Sequence, residues 1–553
     1  MKSNLSRKYA IYIIYFLMFC YVIYGLVKVQ ILEQIENKRI LIDLIGKNEY
    51  KRGLRGTIYS SDGVKLAWSE KVPVITLNEY SQKDQQILGK YLSVEQLTTL
   101  RNTGKVELNW EQAFLLKSIG YNIYTIEKRR SYGFLYPLIG SVNTDGDGMS
   151  GLEYTYNEVL KGKVSVSYGI KTPGGNYKEG IIESEAENGL DLQTSINYNL
   201  QKFIYETLTE LDTPSVVVVS KPKTGEILAM VSYPAPNVDL NSLNSLTWQK
   251  LINDPMKPLL NRAISSSYPP GSTFKVVTGL AQMIYGQPSS ISCKGVFYYR
   301  DSKGRVTGRY NDWLPTGHGN VDIEKALRVS CNVYFYKAAL DVGIDNLVKV
   351  SKAFGLGEKT GINIPGEISG ILPTPNWKYQ NTKEKWYPGD TILYGIGQGF
   401  LSLTPIQVLH IYNTIANKGV IVGPKLVVNE ESSEKKFDIS VPDDYWDIIT
   451  KGLEEVTTIQ GSAEYGGTAV DAFKGFPLTV AGKTGTAQTD NGQPHAWFVG
   501  FVPSREPMYS IVVFIEHGKG GGRYSAPIAR KIFDYMYKNG FFNKNIRETK
   551  EGK

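Results

Sequence analysis

From Tyr9 to Val27 the chain carries no charged residue and is rich in Ile, Tyr, Phe and Leu. As a helix this run reaches about 28 Å, one hydrocarbon core. Lys2, Arg7 and Lys8 precede it, which places the N-terminus in the cytoplasm. No small-residue cleavage site follows, so the run reads as a retained single-pass anchor (9–27) behind a short tail (1–8) and not as a cleaved signal peptide. Periodic Ile and Leu from Lys28 to Gly46 predict a helix continuing off the membrane. Lys51 to Ala67 then turns to alternation around a Ser-Asp-Gly turn and predicts a hairpin. As far as Glu187 the pattern is irregular, with short strands and helices. Gly-rich stretches at Asp145–Gly151 and Gly169–Asn176 read as turns or mobile loops.

Near Gly189 the pattern changes. Asp191–Leu211 holds a helical stretch, and Pro214–Tyr233 is two apolar strands around a Pro-Lys-Thr-Gly turn. Helices are predicted over Phe274–Ile284, Ile323–Val342, Thr404–Lys418 and Ala526–Asn539. Three successive strands are predicted over Leu478–Gln488, His495–Val502 and Met508–His517. The chain therefore divides into a β-rich N-terminal pedestal or dimerisation-type domain (28–188), a large outer domain (189–542) and a charged, disordered tail (543–553). The fold class is α/β in the α+β sense, an antiparallel sheet flanked by helices.

Composition narrows the function. With 553 residues there is chain enough for more than one core. The formal net charge of +8 is spread over 62 basic and 54 acidic residues. No basic block interleaved with aromatics stands out, which argues against nucleic acid. The three cysteines, Cys20 within the span, Cys293 and Cys331, form no disulfide framework.

The segment Tyr268-Pro269-Pro270-Gly271-Ser272-Thr273-Phe274-Lys275 carries chemistry. Two prolines and a glycine stop one element and launch a helix, so Ser272 falls near a helix N-terminus, where a developing negative charge is favoured. Lys275, one turn on, can take the serine proton once burial lowers its pKa. Ser-x-x-Lys also occurs at Ser220, Ser432 and Ser433, but without that launch and apolar helix. Ser330-Cys331-Asn332 opens an aromatic-rich helical run. Lys483-Thr484-Gly485 lies inside a predicted strand, which can line a cleft and pair with an extended peptide. The Lys-Thr-Gly triplets at Lys223 and Lys359 have sufficient structural readings as a turn and a Gly-rich connection.

The ordered trio resembles that of the penicillin-binding proteins, and specifically their class B, monofunctional transpeptidase branch. The likeness extends to Arg52-Gly53-Leu54-Arg55-Gly56, Gly151-Leu152-Glu153 with Leu160-Lys161-Gly162, Thr224-Gly225-Glu226-Ile227, Gly395-Ile396-Gly397-Gln398-Gly399 and Thr404-Pro405-Ile406-Gln407. It implies a penicillin-binding transpeptidase domain in which Ser272 attacks a D-Ala-D-Ala stem peptide of peptidoglycan and Lys275 is general base. Ser330 and Asn332 would relay protons and bind the substrate amide. Lys483 and Thr484 would hold the terminal carboxylate, Gly485 would admit the substrate, and the N–H groups of Ser272 and Thr486 would form the oxyanion hole. β-Lactams would acylate Ser272, and a membrane glycan polymerase is the implied partner. Hydrolysis, as a carboxypeptidase or β-lactamase, is the enzymatic alternative. A non-catalytic scaffold or β-lactam sensor is the other.

Catalysis of this kind needs no cofactor. Cys293, Asp312, His318 and Cys331, however, offer thiolate, carboxylate and imidazole ligands for a structural Zn²⁺, and some family members look similar at matching positions. A Cys293–Cys331 disulfide and free thiols are the alternatives. Either link would pin Ser330 and Asn332. His410 and His517 read as ordinary, and His495 as a turn residue.

Overall fold

The computed structural model describes residues 2–32, 46–77, 79–171, 177–182, 186–239, 245–287, 290–489 and 492–543. They fall into two compact units.

The first unit comprises Met1–Gly56 and Lys161–Leu190. It holds the helix Lys2–Val27, which passes into a wider turn at Lys28–Leu32. Its window Ala10–Gln30 is long and apolar enough to cross a membrane, by length and composition. The rest of the helix expected to Gly46 lies outside the described residues. The unit also holds a three-stranded antiparallel sheet with Val164–Lys171 between Gly46–Arg52 and Tyr177–Ile182. Two expectations change here. Lys51 and Arg52 belong to this sheet and not to the following hairpin, which is formed by Ile58–Tyr59 on Lys65–Thr76 alone. Gly169 to Lys171 is strand, not loop, because alternation from Val164 carries through Gly169 into Ile170; residues 172–176 lie outside the described set.

The second unit comprises Thr57–Leu160 and Asp191–Lys553. The expected boundary near residue 188 thus falls close to the end of one unit, but residues 57–160 group with the C-terminal part. The reason is visible in the packing. Ile58–Tyr59 pairs in parallel with Leu192–Gln193. Ile58, Leu66, Leu135, Leu138, Leu152 and Leu160 share one core with Phe274, Leu280 and Phe335. Arg129 and Glu153, both buried, make an ion pair at 2.7 Å.

The elements that place the site are, for helices, α1 (Tyr198–Thr209), α2 (Lys275–Tyr285), α3 (Asn332–Val342), α4 (Pro405–Ala416), α5 (Asp443–Thr458) and α6 (Ala526–Lys538). The strands are β1 (Ser215–Ser220), β2 (Ile227–Tyr233), β3 (Val296–Arg300), β4 (Val306–Asn311), β5 (Ala481–Ala487), β6 (His495–Val502) and β7 (Tyr509–Ile515). The central sheet runs β2-β1-β7-β6-β5, antiparallel throughout. Along β1, Val216 and Val218 enter the core shared with α2 and α4, whereas Val217 and Val219 enter the core shared with α1 and α6. That period of two, with both faces covered, is why β1 reads as an unbroken apolar run.

The expected helix Ile323–Val342 is in fact two, Ile323–Arg328 and α3. Between them Ser330 sits at φ +55, a left-handed conformation that no helix interior accepts and that a non-glycine residue adopts at a cost. Cys331 then caps α3, its Sγ accepting from Tyr334 N–H at 3.4 Å. Elsewhere local chemistry sets the ends as expected. Thr404 and Gln407 form a capping box before α4, with Pro405 at its first turn.

Candidate active site

Gly271–Phe274 forms a single tight turn of 3₁₀ helix that runs into α2. Gly271 has φ +54, and a Cβ there would lie 2.9 Å from the Thr486 carbonyl oxygen on β5. A Cβ on Gly485 would lie 2.9 Å from Thr273 Cγ2 and 3.0 Å from Trp497 Cβ. Glycines on both sides therefore let the serine turn lie directly against the edge strand of the sheet. The turn is held by Gly271 N–H donating to Gly397 O at 2.9 Å, by Trp497 Nε1–H donating to Pro269 O at 3.1 Å, and by Tyr412 O–H donating to Thr273 O at 2.9 Å. Ser272 itself stays half-buried between them.

Lys275 is fully buried. Its Nζ donates to Asn332 Oδ1 at 2.6 Å, to Ser330 O at 2.8 Å and to Ser330 Oγ at 3.3 Å, and it lies over the Phe335 ring. Burial pulls its pKa down to about 8, against the opposing pull of Asp312 and Cys331. The strained turn at Ser330 thus presents both its carbonyl and its hydroxyl to one amine. Lys483 on β5 is also fully buried, and its Nζ donates to Thr484 O at 3.1 Å. Burial first, and the Lys275 charge second, hold its pKa well below the ordinary value. Lys275 Nζ bonds the Ser330–Asn332 turn, and Gly271 of the serine turn lies against Thr486 on the strand that carries Lys483. The turn of Ser272, the Ser330–Asn332 turn and the Lys483–Thr486 stretch of β5 accordingly meet.

Sequence reasoning missed Thr468. Its Oγ1 lies 2.6 Å from Thr484 Oγ1, fixing that hydroxyl from a loop that carries no signal except two preceding glycines. It also missed the Gly520–Ser525 segment, where a Cβ on Gly521 would lie 2.1 Å from Trp497 O and 2.6 Å from Gly485 O. His495 accepts from His517 N–H at 3.1 Å and steadies the end of its hairpin.

Cys293, Asp312, His318 and Cys331 are all buried, with their ligand-type atoms within 4.8 Å of one another. Cys293 Sγ is 3.6 Å from Asp312 Oδ2 and 3.8 Å from His318 Nδ1. Cys331 Sγ is 3.3 Å from Asp312 Oδ2, and His318 Nδ1 is 3.6 Å from Asp312 Oδ1. Both thiols are free. A hydrogen bond shared between them holds Cys293 down to about 5 and pushes Cys331 well up, with burial adding to the latter. Val333 N–H donates to Asp312 Oδ2 at 3.0 Å, so the cluster grips the start of α3, immediately behind Asn332.

Comparison with known proteins gives the same picture. Residues 215–534 match the family model of the penicillin binding protein transpeptidase domain. Peptidoglycan D,D-transpeptidase MrdA of Haemophilus influenzae is 32% identical, with 71% of this chain aligned to 63% of that protein. MrdA of Escherichia coli is 31% identical, with 70% aligned to 64%. The chain thus spans just under two thirds of the length of these relatives. Among solved structures, the complex between PBP2 and MreC from Helicobacter pylori superposes with a TM-score of 0.76 at 28% identity, over 90% of this chain and 100% of that one. Pseudomonas aeruginosa PBP2 in complex with WCK 5153 gives 0.66 at 25% identity, over 88% and 96%. The chain belongs to the penicillin-binding protein transpeptidase family, on the class B branch that these MrdA and PBP2 proteins represent.

Proposed function

We propose that the protein is a membrane-anchored peptidoglycan D,D-transpeptidase working through a Ser272 acyl-enzyme. The observation that carries this reading is the convergence of a half-buried serine, a buried amine with lowered pKa and a strand bearing a second buried lysine. Ser272 Oγ attacks the carbonyl carbon of the penultimate D-Ala, and its proton passes to Lys275. The C–N bond to the terminal D-Ala breaks, and that amine leaves with a proton relayed through Lys275 and Ser330. An amine of a neighbouring stem then attacks the ester, forming the cross-link and returning Oγ its proton. Lys483, whose charged form is disfavoured in its buried site, gains a counter-charge when the terminal carboxylate arrives, which raises its pKa. Thr484, fixed by Thr468, supplies a hydroxyl to the same carboxylate, and Asn332 takes the substrate amide. The N–H groups of Ser272 and Thr486 face the developing oxyanion.

The relatives named as D,D-transpeptidases favour this over hydrolysis. The assay that separates the two gives the full-length protein polymer bearing D-Ala-D-Ala stems. Release of D-Ala matched by cross-linked dimers is the expected result. Release with tetrapeptide monomers alone would make the enzyme a carboxypeptidase.

The lysines and arginine before the apolar helix orient the N-terminus to the cytoplasm and the catalytic domain to the outside. A glycan polymerase is the partner that delivers uncross-linked polymer. One neighbour comes from a structure of a synthase complex coordinating polymerization and crosslinking, with a TM-score of 0.74.

The cysteine–aspartate–histidine cluster is read as a structural zinc site. Tetrahedral zinc with bonds of about 2.0–2.3 Å sets its ligand atoms about 3.3–3.8 Å apart; four separations here fall in that range, and all four ligand-type atoms lie within 4.8 Å of one another. Cys293, Asp312, His318 and Cys331 would hold the ion, and the ion would fix the turn carrying Ser330 and Asn332. One zinc per molecule is expected by metal analysis, lost in Cys331→Ser. A Cys293–Cys331 disulfide in the mass spectrum of the metal-free protein would refute the metal reading.

A further inference from the structure

The hairpin β3–β4 leaves the core between Cys293 and Asp312 and returns beside the active site. Its inner face, Phe297 and Tyr310, packs on Tyr336 of α3 with ring centroids 6.3 and 5.6 Å away. Its outer face is different in kind. Tyr298 stands opposite Arg309 in the register, Arg300 follows on the same face, and all three are exposed. The acid of the hairpin, Asp301, is committed to Arg305 at 2.7 Å. Among the described residues Arg300 has no acidic partner, and it donates to Gly304 O of its own turn at 2.9 Å. Among the described residues Arg309 has no acidic partner. A two-stranded ribbon therefore offers an unneutralised pair of guanidinium groups, flanked by an aromatic ring and stiffened from behind by three more.

Its position gives this charge a use. β4 ends at Asn311, whose carbonyl accepts from the side-chain amide of Asn332 at 3.5 Å and from Tyr336 O–H at 3.0 Å. Arg309 lies two residues back, about 7 Å along an extended strand. Arg309 and Asn332 therefore border the same stretch of β4, within the reach of an arginine side chain of one another.

We infer that the outer face of this hairpin, through Arg309 and Arg300, recognises carboxylates on the donor peptide upstream of its D-Ala-D-Ala end. The inference rests on the reading of Ser272 as the acylated serine. Guanidinium groups pair with carboxylates in planar, two-point geometry. The hairpin is thus a selector for acidic stems, acting on binding before the bond is broken.

The test uses the full-length protein in detergent and two D-Ala-D-Ala donor peptides that differ only in carrying free or amidated side-chain carboxylates. Wild type is expected to prefer the free acid about fivefold in kcat/KM, the worth of one partly exposed arginine–carboxylate pair. Most of the difference should appear in KM, and it should shrink as salt is raised. In Arg300→Gln/Arg309→Gln the preference is expected to vanish, and Arg309→Lys should keep part of it. An unchanged preference in the double variant overturns the proposal. So does an unchanged preference accompanied by lost binding to vesicles of anionic phospholipid, which would assign the face to lipid. Failure of the wild type to bind fluorescent penicillin or release D-Ala from either peptide would instead strike the reading of Ser272, and the selector with it.

Discussion

Ser272→Ala is expected to abolish covalent labelling by fluorescent penicillin and to lower D-Ala release by roughly six orders of magnitude, the scale of losing a nucleophile. The substitution removes one oxygen from a half-buried side chain. The bonds that hold the turn run through Gly271, Pro269 and Thr273 instead. The variant should therefore fold, with an unchanged far-ultraviolet circular dichroism spectrum and thermal midpoint, and fail only at chemistry. The decoy serines make a useful contrast. Ser220 lies on β1 with its hydroxyl 2.8 Å from Ser510 Oγ, and Ser432 lies on a loop with its hydroxyl donating to Thr224 O at 2.9 Å. Labelling that persists in Ser272→Ala, on gel and at stoichiometric amount, would place the nucleophile elsewhere and dissolve the proposed mechanism.

How much of this was legible beforehand depends on where each signal is stored. The central sheet was readable because most of its strands are apolar on both faces and end in Gly, Pro and Asp turns. The helix behind Ser272 was readable because prolines and glycine bracket its start. The break at Ser330 was not, since Val329-Ser330-Cys331 contains no glycine or proline. The turn is enforced by tertiary partners: Lys275 on its carbonyl, Trp313 Nε1–H on Val329 O at 3.0 Å, and Asp312 on the N–H of Val333. A left-handed serine is therefore written in three distant residues and not in its own neighbourhood. The grouping of residues 57–160 with the C-terminal part was hidden for a similar reason. It rests on a two-residue parallel pairing and a shared core, features that periodicity along the chain does not record.

The site shows the same division. Residue types with intrinsic chemistry, the serine, the lysines and the four ligand-type side chains, announced themselves. Residues that act by holding others did not. Thr468 matters through one hydroxyl contact with Thr484, and Gly521 through what its missing Cβ allows. An isolated threonine or glycine in a loop reads as punctuation until the fold brings its partner to it.

The acylation rate is expected to climb about tenfold between pH 7 and pH 9 and then level off, following the loss of a proton from Lys275. Only the neutral amine can accept the Ser272 proton. With its pKa drawn down to about 8 by burial, about a tenth of the enzyme carries the competent form at pH 7, and about nine tenths at pH 9. An ordinary lysine would leave less than a thousandth competent at pH 7, so burial supplies most of the working base. Desolvation sets the direction of the shift, and the Asp312 carboxylate opposes it. Stability should move in the same sense. The folded pKa lies below the unfolded one, so the unfolded chain binds more protons between about pH 8 and 10.5. The contribution of this group to stability therefore rises across that window. Lys275→Arg tests the cause, because a guanidinium keeps the charge and the donors but does not release its proton. Acylation should fall by at least three orders of magnitude and lose its pH dependence around 8. A wild-type profile that is flat from pH 7 to 9, or an arginine variant that acylates at a comparable rate, would show that a different group takes the serine proton.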